Sequence, residues 1–254
     1  MTSRTKIDPI KLRLDDVGYD YQKVFVTALV IGTVFGLGSS TIGGETGFIL
    51  GYLSALLPIA LVGVGSVAPA LIFDVLSAIK YATDDAARDR YAHMQAGKFL
   101  VAYALGLPVA RFDAGGPASK GEFFQLRPTG KSEKDDKSMF NKKSFSQAEI
   151  AAASAMCLGG PVAECMIFGD ASGKNPADVN TLNEIMGRVE PTMTTEMAQN
   201  HIRWSAMTAH DILTNNKEHY LKLVEAMKAG LPLEECIAAL ESIDAPITVP
   251  AAQQ

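Results

Sequence analysis

Two long uncharged stretches dominate the N-terminal third of the sequence. Neither Val24 to Ile42 nor Thr46 to Phe73 contains an Asp, Glu, Lys or Arg. A helix rises about 1.5 Å per residue, so the first stretch, of about 19 residues, can cross a hydrocarbon core of roughly 30 Å, and the second can cross it at a tilt. Because only Gly43-Gly44-Glu45 separates them, the pattern predicts a helical hairpin that spans a membrane.

Basic residues flank the predicted hairpin on both sides. The connection has none, whereas the segments before and after the hairpin carry Arg4, Lys6, Lys11, Arg13, Lys23, Lys80, Arg88 and Arg90. Loops rich in Lys and Arg stay on the cytoplasmic side of a membrane or its equivalent. We therefore expect both ends, and everything after Phe73, to face the stroma, the matrix or the cytoplasm.

Small residues recur within the predicted hairpin. Gly32 and Gly36 form a small-xxx-small pair, as do Gly47 and Gly51, and such pairs allow close helix approach within the hairpin or against a partner. Pro58 predicts a kink in the second helix. Two other interpretations are open, namely two core helices of a soluble protein and a secretory signal peptide, and the latter is disfavoured because no cleavage pattern follows.

The rest of the chain is predicted to be mostly helical. Apolar spacing, Gly stops and an Asn-Pro start predict helices over 147–158, 179–189, 194–214, 217–229 and 233–243. The polar run from Arg111 to Ser146 predicts solvated loops with one short hairpin around Glu122 to Leu126. The fold class is therefore mainly α: an N-terminal segment 1–23, a transmembrane hairpin 24–73, a helical domain 74–246 with a small β hairpin, and a tail 247–254.

Composition excludes several function classes. Hydrophobic residues make up 48% of the chain and charged residues 20%, and the net charge of -5 disfavours a nucleic-acid partner. The three cysteines, Cys157, Cys165 and Cys236, lack metal-binding spacing and are expected to be reduced and buried. The sequence contains no P-loop, dinucleotide fingerprint or nucleophile elbow, so no cofactor is predicted.

The run Met94-Gln95-Ala96-Gly97-Lys98 carries the most specific chemistry. In a zinc-protease helix two histidines one turn apart bind the metal, and a Glu beside the first activates the bound water. Here Met94 takes the first His position, Gln95 the Glu and Lys98 the second His. A thioether is a poor zinc ligand, an amide cannot accept the proton and an ammonium repels the dication, so we predict neither metal binding nor catalysis.

A second run, Leu158-Gly159-Gly160-Pro161-Val162-Ala163-Glu164 followed by Ile167-Phe168-Gly169, strengthens this interpretation. With the first run, it resembles the peptidase domain of the FtsH family of membrane-anchored zinc metalloproteases, in particular the stand-alone FtsH-like proteins of plastids that lack the ATPase module. The likeness covers roughly Asp89 to Glu241. It implies an FtsH-peptidase-like helical domain with a degenerate motif, in which Asp178 lies near the position of the third, carboxylate zinc ligand.

The matched residues also have simpler interpretations. Met94 and Phe99 suit the core of an amphipathic helix. Asp178 suits an N-cap or first-turn acid of a helix that begins near Asn175-Pro176, which is the interpretation we favour. His93 points about 100° away from Met94 around the helix, so we expect it to make a polar contact or to lie at the surface.

The resemblance implies a function without catalysis. A protease fold that has lost its chemistry is expected to act as an accessory or scaffold subunit of a membrane protein complex. The relatives point to the plastid thylakoid, with the C-terminal domain in the stroma and photosystem or antenna proteins as partners; the mitochondrial inner membrane is the alternative. The competing hypothesis is a pseudoprotease that pairs with FtsH-type ATP-dependent proteases in membrane-protein quality control, and a hydrolase using other residues has little support.

Overall fold

The described part of the chain is mainly helical. The computed structural model describes residues 19–67, 75, 78–107, 109–111, 122–123, 147–171, 176–187, 189 and 193–250. Its elements are α1 (Tyr19–Ile42), α2 (Gly44–Val67), α3 (Asp85–Ala104), β1 (Val109–Arg111), β2 (Glu122–Phe123), α4 (Gln147–Phe168), α5 (Pro176–Gly187), α6 (Thr195–Asn215), α7 (Lys217–Lys228) and α8 (Leu233–Glu241). These residues form two compact units, one within Leu14–Ser77 and one that begins at Ala78.

In the first unit, α1 and α2 form an antiparallel pair joined at Gly43. Gly43 and Gly44 both have a φ of +65°, a left-handed conformation that glycine adopts without steric cost. The two helices share a spacing, Gly-xxx-Gly-xx-Ser, at Gly32, Gly36 and Ser39 in α1 and at Gly47, Gly51 and Ser54 in α2. The glycine pairs were predicted from the sequence to allow close helix approach, whereas the repeat that includes the serines was not predicted.

The repeated residues pack reciprocally across the hairpin. A Cβ on Gly47 would lie 2.6 Å from the carbonyl oxygen of Ser39, and one on Gly32 would lie 2.8 Å from that of Ser54. Each serine therefore lies over the glycines of the opposite helix. The glycines allow the two backbones to approach closely. The close contact expected of these small residues is therefore made within the hairpin, between α1 and α2.

Two described helices are long and apolar enough to cross a membrane. They are α2, with a mean hydropathy of 2.1, and residues Ala148–Phe168 of α4, with 1.6. Within the chain, 6% of the most apolar part of α2 is buried, against 72% for α4, so α4 is a core helix. The apolar stretch of α1 is shorter, Phe25–Ser39. Of the two predicted spans, the second therefore meets this criterion and the first does not.

The bounds of the two hairpin helices differ from the prediction. The first helix begins at Tyr19 rather than Val24, and the second ends at Val67, while residues 68–74 lie outside the described part of the chain. Large apolar side chains of α2 point away from α1. They include Phe48, Tyr52, Leu53 and Ile59, with exposed fractions of 58–76%.

The second unit is built on α3 and α4. Its core includes the fully buried side chains of Phe99 and Leu100 on α3 and Leu158 and Val162 on α4. α3 also packs on α6 and α7, and α4 packs on α5 and α6. Three later helices, α4, α6 and α7, therefore enclose the part of α3 that carries Met94, Gln95 and Lys98.

α4 is longer than the sequence predicts. The predicted helix ends at Leu158, before Gly159-Gly160-Pro161, whereas the observed helix continues to Phe168. A proline inside a helix costs about 3 kcal/mol because it removes a hydrogen bond. Burial of Val162, Ala163 and their neighbours against α3 offsets this cost, which local propensity cannot anticipate.

The remaining elements show smaller differences. α6, α7 and α8 lie within one or two residues of the predicted helices. β1 and β2 pair antiparallel, with Val109 opposite Phe123 and Arg111 opposite Glu122. The predicted hairpin around Glu122 to Leu126 is not shown, since 124–126 lie outside the described residues, as does most of the predicted loop region 111–146.

Side-chain contacts attach the C-terminal segment to the helices. The Thr248 amide donates to Asn216 Oδ1 at 2.7 Å, and Asn216 Nδ2 donates to the Thr248 carbonyl oxygen at 2.8 Å. Asn216 also donates to the carbonyl oxygen of Ile212. The segment predicted as a tail from residue 247 is therefore held against the junction of α6 and α7 at Thr248.

Candidate functional site

The residues that the resemblance places at the protease motif, Met94, Gln95 and Lys98, lie in the buried second half of α3. The helix begins at its N-cap Asp84, whose Oδ1 accepts a hydrogen bond from the Ala86 amide at 3.0 Å. Residues four apart lie on one helix face, so Met94 and Lys98 share a face that points towards α4 and α5. Gln95 lies about 100° further around the helix and faces elsewhere.

Lys98 and Asp178 form an ion pair between α3 and α5. Lys98 Nζ contacts Asp178 Oδ1, and the two side chains are 12% and 6% exposed. Asp178 is the third residue of α5 and lies in its first turn, the location that we favoured for it. A buried carboxylate needs a paired charge, and here a lysine of the same chain supplies it.

Cys157 of α4 lies within the electrostatic reach of this pair. Burial, and secondarily the negative charge of Asp178, raise the pKa of the Cys157 thiol far above its usual range. The thiol is therefore protonated at neutral pH and is a poor nucleophile. In the described residues, Cys157, Cys165 and Cys236 form no disulfide.

Met94 is part of the α3–α4 interface. Its side chain is 7% exposed, and its Cγ lies 2.8 Å from the position that a Cβ on Gly160 would occupy. A Cβ on Gly97 would lie 2.5 Å from the Cβ of Ala163 and 2.7 Å from the carbonyl oxygen of Gly159. The two motif-bearing runs therefore pack directly against each other, backbone to backbone.

Gln95 faces a cleft rather than the ion pair. Its side chain is buried, and Nε2 donates to the Tyr91 hydroxyl at 2.9 Å. The cleft has a volume of 270 Å³ and is also lined by Tyr81, Arg88 and Lys228. Met94 and Lys98 are not part of its lining, so Gln95 lies in a different environment from the other two motif positions.

His93 makes the polar contact that the sequence analysis offered as one of two expectations. Its Nδ1 lies 2.7 Å from the Tyr220 hydroxyl, and its ring packs edge-on against Phe168 with a centroid separation of 5.5 Å. Burial lowers the pKa of His93, and the nearby Asp89 carboxylate partly opposes this shift. The ring is therefore predominantly neutral at pH 7, with Asp89 3.8 Å from its Nε2.

The contact between Arg90 and Glu164 was missed by sequence reasoning. Glu164 is 2% exposed, and its Oε1 lies 3.2 Å from Arg90 Nε. Arg90 Nη2 also donates to the carbonyl oxygen and to Oδ1 of Asp170, both at 2.6 Å, while its guanidinium lies 4.9 Å from the centre of the Phe168 ring. These contacts link the start of α3 to the end of α4. A glutamate inside the apolar second half of α4 was the available signal.

A serine and a histidine also come together in the core. His201 Nε2 lies 3.0 Å from Ser154 Oγ, which is the distance expected between a nucleophile and its base. Ser154 is 0% exposed, so no substrate reaches its hydroxyl in this structure. The pair gives no support to a hydrolase.

The motif region of the described residues does not fit a zinc ion. No group of three or more His, Cys, Asp or Glu side chains in the described part of the chain is arranged to hold a metal. Asp178, the carboxylate that the resemblance assigns to zinc, is paired with Lys98. A thioether and an ammonium occupy the two positions where that resemblance expects imidazoles.

Comparison with known proteins adds no relative. No protein-family model, no curated protein and no solved structure matches the chain. The likeness to the FtsH peptidase domain therefore rests on the two sequence runs, and the functional conclusion rests on the contacts described above.

Proposed function

We propose that this protein is a catalytically inactive, protease-like accessory or scaffold subunit of a membrane protein complex. The observation that supports this proposal best is the buried pair of Lys98 and Asp178. These positions correspond to two zinc ligands in the FtsH resemblance, and they meet here although 80 positions separate them in the sequence. An internal salt bridge stands where the resemblance expects a metal.

The helical unit retains a packed core without the residues of the protease reaction. The close contact of Gly97 with Gly159 and Ala163 keeps α3 and α4 together, and the pair of Arg90 and Glu164 links the same helices at one end. A domain that keeps its packing after losing its ligands and its general base offers its surface for binding. This supports a structural role rather than a catalytic one.

The α1–α2 unit is proposed as the membrane anchor. α2 is 24 residues long, long enough for a hydrocarbon core of roughly 30 Å. Its exposed apolar side chains lie on the surface of the helix pair, where lipid would solvate them. The distribution of Lys and Arg favours the stromal or matrix side of the membrane for the helical unit. The FtsH resemblance favours the thylakoid, beside photosystem or antenna proteins, with the mitochondrial inner membrane as the alternative.

The test is gentle detergent extraction of the tagged full-length chain from native membranes, followed by native separation and quantitative mass spectrometry. The expected result is a discrete complex in which this chain and its neighbours occur in near-equal amounts. Membranes from cells that express the untagged chain are the control for proteins that are recovered non-specifically. Recovery with FtsH-type ATPases and many scarce clients would overturn the proposal in favour of quality control.

A further inference from the structure

The cleft beside Gln95 has no role in the proposed scaffold function. It lies between the first half of α3 and the end of α7, and its volume is 270 Å³. The space suits a small ring and is below the size of typical drug-sized pockets.

The charges that line the cleft cancel in pairs. Arg88 contacts Asp85, its neighbour one turn earlier on α3, and Lys228 Nζ lies 2.6 Å from Asp89 Oδ1. A ligand with a net charge would find an opposite charge that already has a partner, and binding would require one of these pairs to be broken. The lining therefore favours a ligand of zero net charge.

The same lining is rich in both donors and acceptors. The carboxylates of Asp85 and Asp89 accept, the cations of Arg88 and Lys228 donate, and the amide of Gln95 does both. Gln95 is 7% exposed, so this amide is almost fully withdrawn from bulk solvent while it lines the cleft. Such an array matches hydroxyl groups, each of which donates one hydrogen bond and accepts others.

Two tyrosines form an aromatic wall. The rings of Tyr81 and Tyr91 pack edge to face, with centroids 5.5 Å apart and an interplanar angle of 78°. Both line the cleft. An aromatic wall beside a polar array suits a ligand that has an apolar face of C–H groups and a rim of hydroxyls.

We propose that this cleft binds one neutral polyhydroxylated ring, that is, a sugar, either free or as the headgroup of a glycolipid. A glycolipid headgroup is favoured as the source of the sugar, because Tyr81 follows Ser77, the last residue of the hairpin unit, by only four residues in the sequence. The glycolipid source rests on the proposed membrane anchor, whereas the sugar site itself uses none of the contacts of Lys98 or Met94 and can be tested separately.

The test uses the full-length chain in a detergent without a sugar headgroup, so that the detergent does not compete. Methyl β-galactopyranoside is the free-sugar probe, measured by saturation-transfer NMR. A galactosyl diacylglycerol in nanodiscs is the lipid probe, measured by native mass spectrometry. We expect at least one probe to bind, and Arg88→Ala and Tyr81→Leu to weaken that binding by about tenfold or more.

Arg203→Ala is the matched control. Arg203 is also an exposed arginine that contacts a residue one helical turn earlier, Asn200, but on α6 and outside the cleft lining. This variant is expected to bind like the parent chain. Thermal unfolding of all three variants separates loss of the site from loss of the fold, since Arg88 and Tyr81 are not core residues.

The two probes distinguish the sources of the ring. Binding of the lipid alone supports a headgroup site that also needs the acyl chains, and binding of both supports recognition of the sugar itself. The inference is overturned if neither probe binds or if Arg203→Ala weakens binding as much as Arg88→Ala. It is also overturned if glucose 6-phosphate binds more tightly than the neutral glycoside, because the site would then select charge.

Discussion

Lys98 Nζ and Asp178 Oδ1 are in contact across the α3–α5 interface, with 80 positions between them in the sequence. Both side chains are nearly buried. Each charge therefore depends on the other, because neither has full access to water. This relationship explains why a lysine is compatible with a position that lies deep in a helical core.

Removing one partner of this pair should destabilise the fold strongly. Asp178→Asn leaves the Lys98 ammonium without its carboxylate, and Lys98→Met leaves the carboxylate without its cation, so each should cost about 3–5 kcal/mol. The double variant Lys98→Met with Asp178→Asn should cost much less than the sum of the two single variants. Urea unfolding of the full-length chain in detergent gives these values, with the exposed Lys222→Met as the control. Additive costs would show that the pair is not coupled.

Introducing the metalloprotease side chains should create a zinc site. The triple variant M94H/Q95E/K98H releases Asp178 from Lys98 and supplies two imidazoles one helical turn apart. We expect about one zinc per chain by elemental analysis after dialysis, and less zinc when D178N is added. An unchanged, background zinc content in the triple variant would contradict the correspondence between these positions and a zinc site.

A side chain on Gly97 should disrupt the α3–α4 interface. A Cβ there would lie 2.5 Å from the Cβ of Ala163, closer than two carbons can approach, so Gly97→Ala should cost about 1–3 kcal/mol or more. Gly187→Ala is the matched control, since a Cβ at the end of α5 meets nothing within 4 Å. The two variants are compared by thermal unfolding. Equal effects would show that the close helix contact is absent in solution.

Stability should fall as the pH decreases through the titration range of His93. Burial lowers the pKa of His93 in the folded state below its usual value of 6.5. The unfolded chain therefore binds the proton first, and stability is lost as the pH falls from 6.5 towards the folded pKa. His93→Asn keeps a polar contact available to Tyr220 but cannot titrate, so it should flatten this part of the profile.

The measurement is urea unfolding between pH 5 and 8, approximately the range in which histidine titrates. Burial also lowers the pKa of His201, so His201→Asn measures the second contribution and the double variant should remove both. If the free energy of unfolding of His93→Asn changes with pH as steeply as that of the parent chain, His93 is not responsible for the loss of stability.

The reciprocal packing in the hairpin predicts a disulfide. A Cβ on Gly51 would lie 3.9 Å from the Cβ of Ser39, within the roughly 3.5–4.5 Å range of disulfides. The variant S39C/G51C should therefore cross-link within one chain under mild oxidation. Mass spectrometry after alkylation detects the loss of two thiols. The control S39C/G63C should stay reduced, since a Cβ on Gly63 meets nothing within 4 Å, and equal cross-linking of both would contradict the helix register.

Local sequence signals account for much of the helical framework. The amphipathic spacing of α6 and α7 predicts their bounds closely, because the pattern of a surface helix depends on residues three and four positions apart. α4 shows where such signals fail, since Gly159, Gly160 and Pro161 are typical of a helix end but lie inside a helix. Their glycines serve close contact with α3, a requirement that appears only when the second helix is present.

The candidate site divides in the same way. Side-chain chemistry alone predicts that Met94, Gln95 and Lys98 do not support the zinc-protease reaction, since ligand strength and basicity belong to the residue type. Tertiary structure alone decided that Lys98 meets Asp178, that Arg90 meets Glu164 and that Gln95 faces a separate cleft. These partners are far apart in the sequence, and only the packing of the helices brings them together, because a contact depends on the position of both backbones.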